Sequence, residues 1–269
     1  MTILGIIPYA STLVWALFFY LWSQKGERSW RWSLALACVL LGSFVLVLTE
    51  ALSGFHILNF TPVFAAWGIY LLIPTALVIS LRTRFDWIQE RTKVWLKIKG
   101  LPIWMVAVMA VLIFVMFRMA MASPPGNYDV QSYHLPRQIF WLMQGSVQHF
   151  DATYPYQNSH PVLTEYLGLN LMLLSGGDAW HNLTQCFFFV AACGLVTLIT
   201  QSIGGGGRVQ ALAVLFIALV PVLFFEASNA KNDIVASFFI LIPLLIGLRI
   251  WNRQRKVDVS CLLLAALAA

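Results

Sequence analysis

Residues 103–117 read IWMVAVMAVLIFVMF, fifteen positions without a charge, and residues 127–137 read NYDVQSYHLPR. The first stretch belongs to an apolar run over 101–122, long enough to cross about 30 Å of hydrocarbon, which takes about 20 residues. The second gathers an Asp, a His, an Arg, two Tyr, an Asn and a Gln within eleven positions. Ser123-Pro-Pro-Gly126 separates them, and paired prolines stop a helix. The fold class follows from the first stretch and its likenesses elsewhere. Apolar runs recur at about 3–22, 32–53, 62–81, 181–200, 209–225 and 234–251. The chain is 60% hydrophobic and 10% charged, where a soluble domain carries about 25% charged residues. The reading is an all-α, polytopic transmembrane helix bundle with about seven complete spans. The run 3–22 has no basic residue before it and no small-residue cleavage site, so it is read as a span and not a signal peptide.

Charge orients the spans. The loops SQKGERSWR and RTRFDWIQERTKVWLKIKG are dense in Lys and Arg, which marks them as cytoplasmic. Residues 54–61 and 123–161 then lie outside. The piece 162–176 is short for a crossing and carries Glu165, which is costly at mid-membrane. If it crossed, Arg253, Arg255 and Lys256 would fall outside, so it is expected to be a re-entrant or interfacial helix. With that choice, all of the 17 basic residues but Arg118, Arg137 and Lys231 are cytoplasmic. The acids Glu50, Asp129, Asp151, Glu165, Asp178, Glu226 and Asp233 lie on the outer side, with all five histidines, at 56, 134, 149, 160 and 181. The net charge of +6 is therefore a topology signal and not a nucleic-acid one. Cys38, Cys186, Cys193 and Cys261 sit in apolar segments with no metal or disulfide spacing and read as small hydrophobes. Gly204–Gly207 lacks the following Lys-Ser/Thr of a phosphate loop and reads as a turn. The final run, 260–269, is the first half of an eighth span, so an N-terminal part of a longer protein is expected.

Three outer pieces carry chemistry. After Pro136 the pattern is amphipathic, with Ile139, Phe140, Leu142 and Met143 against Arg137, Gln138 and Gln144, and suits a membrane surface. Asp129, Tyr133 and Arg137 are spaced by four and share a face if the helix begins at Asp129, although Pro136 would kink it. The second piece is 149–161, HFDATYPYQNSHP, leading to Glu165. The third is 226–233, EASNAKND, with Asp233 opening a helix, where it is either an N-cap or a site residue. Each Tyr also fits an aromatic belt, the histidines also fit plain loop positions, and Arg118 also fits snorkelling to the headgroups.

Asp129 with Tyr133-His-Leu-Pro-Arg137, then His160-Pro-Val-Leu-Thr-Glu165, then Asn232-Asp233 resembles the GT-C fold glycosyltransferases, within them the bacterial family 39 and RgtA/B/C/D-like enzymes. The resemblance spans about 105–251, making 101–269 a GT-C-like catalytic region and 1–100 a three-span extension with basic loops. Val162 stands where the family often has a second proline, and the family usually continues through more spans. The resemblance implies transfer of a sugar from a polyprenyl-phosphate carrier to an extracytoplasmic acceptor (lipid, glycan or protein) at the bacterial inner membrane, with no nucleic-acid partner. It implies Asp129 as general base or as the group orienting the acceptor hydroxyl, since an alcohol must lose a proton as it attacks. Arg137, Lys231 and Arg118 would meet the lipid phosphate, and His134 or His160 would donate a hydrogen bond. Tyr133 joins this substrate-binding set, and Glu165 and Asp233 would orient sugar hydroxyls or help hold a divalent metal. The competing classes are a multi-span transporter or lipid flippase and a non-catalytic membrane scaffold. The near absence of mid-membrane charge in the spans argues against a transport path.

Overall fold

A computed structural model describes residues 2–23, 29–82 and 101–252. The expected partial span at 260–269, Cys261, and the basic residues of 24–28, 83–100 and 253–256 lie outside the described residues. Among the described residues there is no strand. A 3₁₀ turn, Ile3–Ile6, enters α1 (Ile7–Trp22); α2 (Trp30–Gly54), α3 (Phe60–Leu81) and α4 (Ile103–Ala122) follow. A π-helical turn, Val130–His134, runs into α5 (Leu135–Gln144). Then come α6 (Tyr156–Ser159), α7 (Leu163–Ser175), α8 (His181–Ser202), α9 (Gly207–Ala218), α10 (Pro221–Glu226) and α11 (Asp233–Trp251). Six helices are long and apolar enough to cross a membrane: α1 with its leading turn, α2, α3, α4, α8 and α11. The chain is a multi-pass membrane protein of helical-bundle class.

Hydrogen bonds fix which helix ends lie together. The Val235 N–H donates to Gln185 Oε1 at 3.0 Å, and Asn252 Nδ2 donates to the Ser202 carbonyl at 2.7 Å. The starts of α8 and α11 therefore meet, as do their ends, so these two helices run parallel. Residues 203–232 must recross the bundle between them. They do so as α9 and α10, and not as the single helix expected over 209–225. Pro221 is the reason: it lacks an N–H, its ring clashes with the carbonyl four residues back, and it disfavours helical geometry at Val220, which sits at φ −71°, ψ 113°.

The remaining ends sort in the same way. The Thr2 N–H donates to the Ser175 carbonyl at 2.9 Å, and the Leu58 N–H to the Gly145 carbonyl at 3.3 Å. Val147 N–H donates to Ser53 Oγ, and Asn182 Nδ2 to the Ser123 carbonyl. One end of the bundle thus holds the starts of α1, α3, α8 and α11 and the ends of α2 and α4. At the opposite end Arg31, at the start of α2, donates to Thr197, Gln201 and Gln210, while Arg249 lies over the Trp32 ring at 5.0 Å. This up-and-down connectivity places 123–161 and 226–233 at the same end.

The two short helices of that end differ. α5 turns Arg137, Gln138 and Trp141 inward and leaves Ile139, Phe140, Leu142 and Met143 exposed, Met143 at 78%. Its polar face meets protein and its apolar face points away, the polarity expected of a helix bordered by lipid. Gly145, at φ 63°, ends it in the left-handed region that glycine adopts without a Cβ penalty. α7, within the stretch expected to be re-entrant or interfacial, is instead enclosed by protein from Glu165 to Leu171. It is apolar nearly all round, and such a helix is stable only when enclosed. Among its buried polar side chains, Asn170 accepts from Trp67 Nε1 at 3.0 Å and donates to Thr49 Oγ1 at 3.0 Å. Gly168 lets α5 approach: a Cβ there would lie 2.5 Å from Gln138 Oε1.

Candidate functional site

The segment after α4 is shaped by Pro136. A proline removes one helical N–H and clashes with the carbonyl four residues back, here that of Ser132. The chain answers with a π-helical turn, in which the Leu135 N–H reaches the Val130 carbonyl, and Gln157 Nε2 donates to the Ser132 carbonyl at 3.0 Å. The wider turn alters the spacing by four that sequence alone suggests. Asp129 and Tyr133 stay on a partly exposed rim, while Arg137 rotates into the protein.

The rim is an ion cluster. Lys231 Nζ lies 3.2 Å from Asp129 Oδ2, 3.1 Å from Glu226 Oε1 and 3.5 Å from Asp233 Oδ2. The side chains are 16% exposed for Lys231, 35% for Asp129 and 56% for Asp233. Partial burial pulls the Lys231 ammonium down, but Glu226, Asp129 and Asp233 outweigh it, and the net shift is upward. Asp129 is placed by an Asx turn in which its own N–H donates to Asn127 Oδ1 at 2.8 Å. Asp233 is the first residue of α11, and the N-cap position is held by Asn232, whose side chain makes no capping bond; the buried Gln185 of α8 takes that part. Asp233 is therefore free of the N-cap role and turns toward Lys231. Three carboxylates around one ammonium leave the rim net negative.

Beside this cluster stands an aromatic wall. The Tyr133 ring lies 4.7 Å from that of His160, 6.0 Å from Tyr156 and 6.2 Å from Tyr154. Tyr156 and His160 stack at 4.9 Å. Burial, then the neighbouring Asp129 charge, pushes the Tyr133 phenol up to about 12.

Behind the rim is a second, enclosed polar group. His134 Nδ1 lies 2.6 Å from Glu165 Oε1, with the two side chains 2% and 1% exposed. Arg137 Nη1 is 3.8 Å from the same carboxylate oxygen, donates to the His160 carbonyl at 2.9 Å, and lies over the Trp141 ring at 4.6 Å. Burial lowers the Arg137 pKa, with Glu165 opposing it. Gln138 Oε1 and His181 Nε2 are 2.6 Å apart.

The eight residues singled out from sequence thus fall into one neighbourhood with two compartments. Asp129, Tyr133, Lys231 and Asp233 form the rim; His134, Arg137 and Glu165 lie behind it. His160 joins them, its ring on Tyr133 and its carbonyl on Arg137. Glu226, Gln138 and His181 were not singled out as site residues. Glu226 had a signal, being five residues before Lys231, whereas nothing in the spacing ties Gln138 to His181. Arg118 is exposed on α4. Among the described residues no three His, Cys, Asp or Glu side chains are gathered closely enough to hold a metal ion.

Fold and site together define a multi-pass helical bundle with a carboxylate-rich, aromatic-walled polar end. No protein-family model matches the chain, and neither the curated proteins nor the solved structures contain a match.

Proposed function

We propose that the chain is a membrane glycosyltransferase of the GT-C type, family 39 or RgtA/B/C/D-like, transferring a sugar from a polyprenyl-phosphate carrier to an extracytoplasmic acceptor at the bacterial inner membrane. The observation that carries this reading is the convergence of Asp129 and Asp233, far apart in sequence, on one Lys231 ammonium at one end of an apolar bundle. A lipid-borne donor presents its reacting carbon at that level, beside lipid-facing α5.

In this reading Asp129, held beside Lys231 at 3.2 Å, takes a hydrogen bond from the acceptor hydroxyl and fixes its direction of attack. Asp233 and Glu226 hold further hydroxyls, and Tyr133, Tyr156 and His160 supply flat faces for the sugar ring. The exposed cation nearest in kind to a phosphate partner is Arg118, because Lys231 is already outnumbered by carboxylates and Arg137 is buried. Such positioning is worth up to about 10²-fold in rate when displaced by an ångström.

The test is transfer from undecaprenyl-phosphate-linked radiolabelled hexose in isolated membranes carrying the protein. Asp129→Asn is expected to lower transfer by about 10²-fold, and Asp233→Asn by less. Undiminished transfer by Asp129→Asn removes Asp129 from the reaction, and no transfer by the unaltered protein above protein-free membranes removes the reading.

A further inference from the structure

Two stretches that meet at the polar end contain no Asp, Glu, Lys or Arg: residues 51–81 and residues 138–150. The first holds the turn between α2 and α3, and the second holds most of α5. Hydrogen bonds join them. The Leu58 N–H reaches the Gly145 carbonyl at 3.3 Å, and the Val147 N–H reaches Ser53 Oγ at 2.8 Å. Around this seam Phe55, Ile57 and Phe60 of the α2–α3 tip and Phe140, Leu142 and Met143 of α5 are exposed, Phe55 at 77%. The polar groups of the tip are not left to water. The N–H groups of His56, Ile57, Leu58 and Asn59 all donate within the protein, and that of Thr61 donates to Asn59 Oδ1 at 3.2 Å. Gln144, at the end of α5, folds its amide back onto the Ser146 and Gln148 carbonyls. The nearest acid, Glu50, accepts from the Tyr166 hydroxyl. Hydrocarbon demands such internal satisfaction of polar groups, whereas a loop in water has no need of it.

We propose that the α2–α3 tip and α5 form one face that sinks into the headgroup–acyl boundary of the leaflet on the rim's side, with phospholipid chains as its partner. Three observations select lipid over a protein partner. At Phe60 and Phe64 the face continues into the exposed side of α3, one of the six helices long and apolar enough to cross a membrane. The face has no charge with which to choose a partner, and complementary charge is what suppresses wrong partners at protein interfaces. Finally, α5 turns its one charged side chain, Arg137, inward onto the His160 carbonyl, so nothing ionic stands between its outer side and hydrocarbon. An amphipathic helix in this position lies about 5–10 Å into the boundary. The neighbouring segments 151–160 and 226–233 carry Asp151, Glu226, Lys231 and Asp233, which hydrocarbon does not accept. The polar end is therefore wet at the rim and lipid-covered at the tip. α3 and the tip lie outside the 105–251 of the sequence resemblance, and they set the level of α5 and, through the π-helical turn, of Asp129. This inference holds whether or not the chain transfers sugars.

The experiment uses the whole protein in liposomes of phosphatidylethanolamine and phosphatidylglycerol, with the native cysteines replaced by alanine. Nitroxide labels are attached at Phe55→Cys and Met143→Cys, and at Tyr128→Cys, beside the rim, as the control in water. All three side chains are exposed, so the changes leave the core untouched, and circular dichroism of each variant checks the fold. Collisions of each label with oxygen, which concentrates in hydrocarbon, are compared with collisions with a water-soluble nickel chelate. Oxygen is expected to outweigh nickel at 55 and 143, at a depth of about 5–10 Å, and nickel to outweigh oxygen at 128. Nickel outweighing oxygen at 55 or at 143 places that part of the face in water. Shielding of either label from both reagents places a protein over it. Each of these two results overturns the proposal.

Discussion

Two groups of charged side chains stand a few ångströms apart at the polar end of this bundle, and burial separates their physics. Around Lys231, Asp129 and Asp233 are open to water, at 35% and 56%, and their pairs are worth little because water and salt screen them. Around Glu165, the imidazole and guanidinium are enclosed, and there the cost of an unmatched charge dominates. The same residue types therefore serve different ends: a rim that solvent and ligands can rearrange, and a rigid support behind it that cannot lose one member alone.

The sharpest way to break this comparison is Glu165→Ala, which strands Arg137 and His134. It is expected to destabilise by about 3–5 kcal/mol, read as a fall in thermal unfolding midpoint in detergent. Replacing Glu165, His134 and Arg137 together by apolar residues of similar size is expected to cost less than that single change. If the single change were as mild as one at the rim, the distinction would fail.

Next in size is Gly168→Ala. The added methyl would press on Gln138, which is pinned by His181, and a cost of about 1–3 kcal/mol is expected from overpacking. Loss of the Gln138–His181 bond should be visible in the His181 ring resonances. Lys231→Met is expected to change stability by at most about 1 kcal/mol, with the difference from the unaltered protein shrinking as salt is added.

The smallest effect is alkaline. The Tyr133 phenol is held at about 12 in the folded protein against about 10 unfolded. Its folded value is raised, so its contribution to stability is fully present below pH 10 and is lost between about 10 and 12. Phenolate absorbance of the unaltered protein minus that of Tyr133→Phe checks the titration, and a midpoint near 10 would place Tyr133 in open water.

Hydropathy alone marked the six long helices, because an uninterrupted apolar run of that length has few other uses. The break in 209–225 was also written there, in Pro221, but an apolar window averages over a single residue. The split between rim and support was not visible. Arg137 follows Asp129 and Tyr133 at even spacing of four, and only the π-helical turn forced by Pro136 sends it inward. The enclosure of α7 was half visible: its length and Glu165 argued against a crossing, but burial depends on the small side of Gly168 meeting α5, a contact between distant segments. The partnership of Gln138 with His181 likewise depends on two helices meeting and has no local signature.

The account stands on Asp129 and Asp233 facing the same side of the membrane. Single cysteines at these two positions, in a background with the native cysteines replaced by alanine, can be labelled in intact cells with a membrane-impermeant maleimide. Both are expected to label from outside without permeabilisation. Labelling of one from outside and of the other only after the membrane is opened would contradict the shared rim and everything built on it.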